Sequence, residues 1–201
     1  MKSRARPFYV PEDAAPAKQK ILMAALELFV RDGLCETGIR DIARVAGFTN
    51  PALFKHFAGK DALADYLFER CYLELFRLVQ TAVRSGKTFE EKQRAVIEAY
   101  VAALDRDPNS VIFVQDWLRH FWPRMPADVR RHSILGEIRK LLEYGKREGA
   151  VAKNIDVNLL VTAWAGTLQQ FARARYFGDF RQNRRQLVGP LEALLAKMVS
   201  Q

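Results

Sequence analysis

The sequence is poor in cysteine and has no long apolar run, and each absence excludes a class of protein. Cys35 and Cys71 are the only cysteines in 201 residues, too few for a disulfide framework or a cysteine-rich zinc site. The longest uncharged stretch, 157–172, contains Asn, Thr, Gly and Gln and is too short and polar to cross a bilayer. The first twenty residues carry three prolines and no apolar segment, so we expect no signal peptide. We expect a cytoplasmic protein with no metal site, no cofactor and no membrane partner.

Basic residues are in excess. The chain carries 32 Lys and Arg against 23 Asp and Glu, a formal charge of +9, and its isoelectric point is near 9.8. A net positive charge favours an anionic partner such as nucleic acid. Many basic proteins bind no nucleic acid, so the composition alone does not identify the partner.

Strand patterns are nearly absent too, and apolar residues recur at three- and four-residue spacing, which predicts an all-α fold of about nine helices. Residues 1–16 are expected to form a flexible arm, in which Arg4 and Arg6 are candidates for a minor-groove contact. In the remaining sequence, Pro, Gly and capping residues mark where helices begin and end. The helices expected are 17–32, 39–46, 49–57, 60–86, 88–105, 110–122, 127–147, 157–177 and 183–199.

The spacing in residues 39–53 is typical of a helix-turn-helix unit. Two helices that cross closely need a small residue at the contact, a turn residue that tolerates positive φ, and apolar residues that hold the pair together. Ala43, Gly47, Phe48 and Leu53 meet these needs in order. The arrangement exposes the start of the third helix, which is the part that reads bases in a major groove.

Candidate phosphate donors surround this unit. They lie near the start of the second helix, on the third helix and at the start of the fourth: Thr37 and Arg40, then Lys55 and His56, then Lys60. A tight three-helix corner with a solvated basic face would show the same spacing. From the residues alone, both interpretations stay open.

Five parts of this segment agree in register with a known family: KQKILMAALELF at 18–29, Gly33, TGIRDIARVAGFT at 37–49, LFKHF at 53–57, and Lys60. On these residues the chain resembles the N-terminal domain of TetR family transcriptional regulators. The resemblance covers a quarter to a third of the chain. It implies a helix-turn-helix DNA-binding domain at 17–62, and a helical domain at 63–201 that binds an effector and forms a homodimer.

The resemblance also implies roles for individual residues. Thr49, Asn50, Pro51 and Ala52 stand where the family reads bases, while Phe54, Lys55, His56 and Lys60 stand where it contacts the DNA backbone or shapes the helix. Two positions depart from the family pattern. Phe54 replaces the usual Tyr and offers no hydroxyl to a phosphate, and Gly38 replaces the usual Thr or Ser cap.

Aromatic residues of the C-terminal half form a second cluster, which is either core or the wall of an effector pocket. The resemblance favours a pocket for a small, largely apolar effector of unknown identity. The candidate lining is Phe113, Trp117, Phe121, Trp122, Trp164, Leu168 and Phe171.

The last two helices have broad apolar faces with small residues that permit close approach. Such faces favour a two-fold interface between two copies, although a monomer that buries both faces remains open. The candidate interface is Ala163, Thr167, Leu187, Leu191, Leu194, Leu195 and Met198.

The function expected is a sequence-specific transcriptional regulator, a repressor released from a pseudo-palindromic double-stranded DNA operator by the effector. No nucleophile motif supports catalysis, so we expect no enzyme activity. A helical enzyme or carrier with a working C-terminal pocket, and a helical interaction protein, are the competing hypotheses. Both predict that the protein shows no sequence preference for DNA.

Overall fold

The computed structural model describes residues 6–200, and regular structure in this part is entirely helical. The prediction of an all-α fold with an N-terminal helix-turn-helix is confirmed. Nine of the described helices have five or more residues, and α7 is a single turn. The helices are α1 Pro16–Arg31, α2 Ile39–Ala46, α3 Asn50–Phe54, α4 Lys60–Ser85, α5 Phe89–Arg106, α6 Pro108–Phe121, α7 Ala127–Arg130, α8 Ile134–Glu148, α9 Val157–Phe177 and α10 Arg184–Val199.

The chain groups into two compact units. The first holds the residues up to Glu74 together with Asn109–Val129, and the second holds Leu75–Pro108 and the residues from Arg130 on. Helix α4 runs without a break through position 62, where the sequence predicts a domain boundary. That boundary stays a prediction.

Phenylalanines from three helices form the core of the first unit. Phe29 of α1 stacks on Phe113 of α6 with ring centroids 6.0 Å apart. Phe68 of α4 stacks on Phe121 at 4.9 Å, and all four rings are buried. Because aromatic side chains bury a large apolar area, this cluster holds α1, α4 and α6 together.

The segment before α1 packs into the same unit. Tyr9 and Val10 are buried, and the Tyr9 carbonyl accepts a hydrogen bond from Arg70 Nε of α4 at 3.3 Å. The described part of the predicted arm is therefore attached to the fold at Tyr9. Arg6 pairs with Glu12, and Arg4 lies outside the described residues.

The second unit is built from α5, α8, α9 and α10 together with the part of α4 from Leu75 on. Its centre is Trp164 of α9, whose indole Nε1 donates to Gln93 Oε1 of α5 at 3.3 Å. Gly145 of α8 permits a close approach, since a Cβ there would lie 2.6 Å from the Phe89 ring of α5. Small and aromatic residues thus set the spacing of these helices.

The expected single helix at 127–147 is two helices. α7 ends at Arg130, and α8 begins after Ser133, whose Oγ accepts from the Gly136 N–H at 3.0 Å. A serine that caps a helix favours a new start over continuation. The apolar period alone did not reveal the interruption.

Candidate nucleic-acid interface

The turn between α2 and α3 is built as the spacing predicts. Ile42 and Ala43 of α2 are buried, and Gly47 adopts a left-handed φ of 76° that a side chain would strain. The Phe48 N–H then donates to the Ala43 carbonyl at 2.8 Å, which closes the turn. Leu53 of α3 is fully buried, so the opposite face of this helix is presented to solvent.

The base-reading candidates lie on or beside that presented face. Thr49 and Pro51 are exposed, while Asn50 and Ala52 are half-buried. The Thr49 carbonyl accepts from the Ala52 and Leu53 N–H groups at 3.1 and 3.2 Å, but its hydroxyl forms no capping hydrogen bond. The Thr49 hydroxyl therefore does not cap α3.

Three of the candidate phosphate donors are accessible. Arg40 of α2 is exposed, and so are Lys55 and His56 just after α3. Phe54, the position where the family usually has Tyr, is 49% exposed. The side chains of Arg40, Lys55 and His56 thus place hydrogen-bond donors before and after α3, and such donors bind the phosphates of a DNA backbone.

Thr37 differs from its predicted role. It is only 3% exposed, and its hydroxyl and its N–H both donate to the Gly33 carbonyl, at 2.7 and 3.2 Å. Neither donor is left for a phosphate. The residue instead closes the loop that leads into α2.

Lys60, the first residue of α4, also has partners within the protein. Its Nζ donates to the carbonyl oxygens of Leu34 at 3.0 Å and of Cys35 at 3.4 Å. The sequence placed this ammonium on the DNA backbone, and the structure directs it to the α1–α2 loop.

Asp41 holds the start of α2. Its Oδ1 pairs with Arg44 at 3.0 Å and its Oδ2 accepts from the Gly38 N–H at 3.3 Å. The Arg44 hydrogen bond, then the Gly38 N–H, lower the pKa of the Asp41 carboxyl. A lowered pKa means that this contribution to stability is present above the unfolded-state pKa and is lost as the pH falls through the folded-state value.

Sequence reasoning missed a cation–aromatic cluster beside the motif. Lys18 Nζ of α1 lies 4.4 Å from the Tyr66 ring centroid and 5.6 Å from that of Phe57, and the two rings pack edge to face. Such contacts join elements far apart in sequence. No local pattern marks them.

The candidate pocket residues belong to both units. Phe113 and Phe121 are buried in the phenylalanine core of the first unit, where Trp117 and Trp122 are half-buried. Trp164, Leu168 and Phe171 are buried in the second unit. Their role as pocket lining stays a prediction. Nowhere in residues 6–200 do three His, Cys, Asp or Glu side chains gather to hold a metal ion.

The candidate interface residues divide by exposure. Leu187, Leu191 and Leu195 are buried within their own unit. Ala163 and Leu194 are exposed, and Thr167 and Met198 are half-buried and joined by a hydroxyl-to-sulfur contact of 3.6 Å. Only Ala163, Leu194, Thr167 and Met198 have exposed surface that a second chain can contact.

Comparison with known proteins identifies the motif. The profile of the bacterial regulatory proteins of the tetR family matches residues 21–67, which include α2, α3 and the start of α4. The HTH-type transcriptional repressor KstR2 of Rhodococcus jostii (strain RHA1) is 28% identical over 160 residues, 73% of this chain and 76% of that protein. Residues 21–67 are thus a DNA-binding domain of the TetR family of transcriptional regulators.

Solved structures of this family share the fold. The ketosteroid transcriptional regulator KstR2 of Mycobacterium tuberculosis has a TM-score of 0.79 at 22% identity, over 95% of this chain and 97% of that one. The transcriptional regulator FadR of Bacillus subtilis, in complex with stearoyl-CoA, has a TM-score of 0.70 at 21% identity, over 90% and 99%. These likenesses show the fold, and the profile match at residues 21–67 shows a DNA-binding regulator with a helix-turn-helix. Among its helices in residues 6–200, none is long and apolar enough to cross a membrane.

Proposed function

We propose that the protein is a homodimeric repressor that binds a pseudo-palindromic operator and is released by a small, largely apolar effector. The observation that carries the proposal is the solvent-facing side of α3, which buries Leu53 behind it and has exposed Arg40, Lys55 and His56 around it. The chain is similar to a protein named as a transcriptional repressor, and this similarity supports repression over activation. A bacterial regulator of this kind acts in the cytoplasm, where its operator is.

Contacts to DNA are proposed in two groups. Thr49, Asn50, Pro51 and Ala52 read base edges, and among them the Asn50 amide has the donor and acceptor that suit adenine. A second group, made of Arg40, Phe54, Lys55 and His56, lies against the backbone and sets register and affinity. Thr37 supports the loop from inside.

The dimer is proposed to form through α9 and α10. Leu159 and Leu194 are 65% and 50% exposed, and exposed Ala163 lets a second helix approach closely. Two such faces related by a two-fold axis make a four-helix arrangement. The two α3 helices would then enter successive major grooves, about 34–36 Å apart or a multiple of this distance.

The effector is proposed to bind in the helical domain at 63–201. FadR of B. subtilis, which shares the fold, is described in complex with stearoyl-CoA. This makes a long-chain acyl thioester a suitable first probe. The protein has one conformation that binds the operator and one that does not. An effector releases DNA only if its affinity for the second conformation is higher than its affinity for the first.

Binding-site selection from random duplexes tests the function. The purified protein should enrich one pseudo-palindrome, and stearoyl-CoA, which has an apolar acyl chain, or a wholly apolar probe should release that duplex at fixed salt. If the protein enriches no sequence at any salt concentration from low to physiological, the result would favour an enzyme, a carrier or an interaction protein. Release by no apolar probe would contradict the effector proposal.

Asn50→Ala and Lys55→Ala should act differently on the selected operator. Loss of the Asn50 amide should change the preferred base at one position per half-site, because a good bidentate pair contributes about 1–3 kcal/mol of discrimination. Loss of the Lys55 charge should weaken binding to all sequences alike and reduce the slope of log K against log salt by about 1.8, which is about 0.9 for each subunit of the dimer. Repeated selection with each variant, and titrations at several salt concentrations, measure both. A reversed pattern would contradict the placement of α3.

A further inference from the structure

We infer that Lys60 is a positioning residue that holds the base-reading helix in place, instead of a phosphate contact; this rests on the operator binding proposed above. Lys60 is half-buried and opens α4. Its ammonium donates to two neutral carbonyl oxygens, those of Leu34 and Cys35, at 3.0 and 3.4 Å. The acceptors lie in the loop between α1 and α2, so one side chain joins the start of α4 to the approach of α2.

The loop that Lys60 holds determines where α2 begins. Two residues after Cys35, Thr37 turns back to the Gly33 carbonyl and donates to it through its hydroxyl and its N–H. Gly38 then donates its N–H to Asp41 of α2 at 3.3 Å. Because these bonds are consecutive, the loop carbonyls and the first turn of α2 form one connected piece of backbone.

Helix α3 depends on its neighbours for its orientation. It has five residues, its only buried residue is Leu53, and Thr49 supplies no side-chain cap. A helix this short is marginal by itself, so packing against flanking elements must fix it. Helix α2 packs against it, and α4 follows it after residues 55–59; Lys60 joins the start of α4 to the approach of α2.

The partners of the ammonium explain why its removal would act on specificity. Loss of the Lys60 Nζ removes this hydrogen-bond donor from the Leu34 carbonyl. Leu34 itself is only 6% exposed. Loosening the loop shifts α3 relative to the groove and harms base reading. Binding to a random duplex depends on the exposed cations, and these remain.

Lys60→Met, which keeps the apolar stem and removes the ammonium, tests the inference, with Lys55→Met as the matched control. Operator affinity of Lys60→Met should fall about tenfold, as expected when charge-assisted hydrogen bonds are lost. Its affinity for a fixed random duplex and its salt slope should stay at the wild-type value. Lys55→Met should weaken binding to both duplexes alike and lower the salt slope by about 1.8, which is about 0.9 for each subunit of the dimer.

Amide hydrogen exchange of the DNA-free protein supplies a second readout. Exchange at Thr37 and Gly38 should accelerate in Lys60→Met and stay unchanged in Lys55→Met. An equal loss on both duplexes, a lower salt slope, or unchanged exchange in Lys60→Met would overturn the inference. If the wild-type protein enriches no palindrome, the proposed function fails while the exchange measurement still decides whether Lys60 holds the loop.

Discussion

Leu194→Asp is expected to convert the protein to a monomer and to weaken operator binding by about a hundredfold or more. Leu194 is 50% exposed on α10, so it adds little to its own core. In the proposed dimer the new carboxylate would be buried without a partner, at a cost of several kcal/mol. A monomer engages one half-site at a time and loses an avidity of about 10²–10⁴.

Leu135→Asp is the matched control for this prediction. Leu135 of α8 belongs to the same unit and is 46% exposed, but it lies outside the proposed interface. Sedimentation over a range of concentrations and operator titration should show a wild-type dimer for Leu135→Asp and a monomer for Leu194→Asp. Equal behaviour of the two variants would show that α10 does not form the interface.

The helix-turn-helix was predictable from sequence because its constraints are local. The small residue at Ala43, the positive φ at Gly47 and the buried Leu53 fall within eleven positions, and each has one physical reason. The limits of α2 agree with the expected 39–46. α3 is shorter than expected, because the chain leaves the helix at Lys55.

The roles of Thr37 and Lys60 were not predictable in the same way. A threonine before a helix can donate to a phosphate or turn back to a carbonyl four residues earlier, and the sequence is the same in both cases. The partners of Lys60 are 25 and 26 residues away, and such long-range contacts leave no periodic pattern. Contacts of this kind determine which basic residues near the motif still face outward.

Apolar spacing also could not separate core from surface in the C-terminal half. Leu191, Leu194 and Leu195 of α10 fit one broad apolar face, but Leu194 alone of these is exposed. One helix can bury part of its apolar surface within its own unit and present the remainder. Only the packing of α10 within its unit shows where this division falls.

Gln93 is the polar residue that the apolar pattern of α5 did not explain. It is 1% exposed, accepts from Trp164 Nε1 at 3.3 Å, and donates from Nε2 to the Glu192 carbonyl of α10 at 3.4 Å. A buried amide must be hydrogen-bonded to be tolerated. Gln93 therefore links α5, α9 and α10 at the centre of the second unit.

Trp164→Ala should lower the free energy of unfolding by about 3–5 kcal/mol, since it removes a fully buried indole and leaves a cavity. Urea unfolding followed by circular dichroism measures the loss. Trp117→Ala, at a half-buried tryptophan, is the control and should cost less.

A double-mutant cycle isolates the hydrogen bond from the packing. Trp164→Phe leaves the Gln93 oxygen without its donor, and Gln93→Leu leaves the Trp164 N–H without its acceptor, each at a cost of about 1–3 kcal/mol. The double variant removes both polar atoms and should be more stable than the sum of the single losses predicts. Strict additivity would show that this pair does not link the helices and that Trp164 stabilises the unit through apolar contact alone.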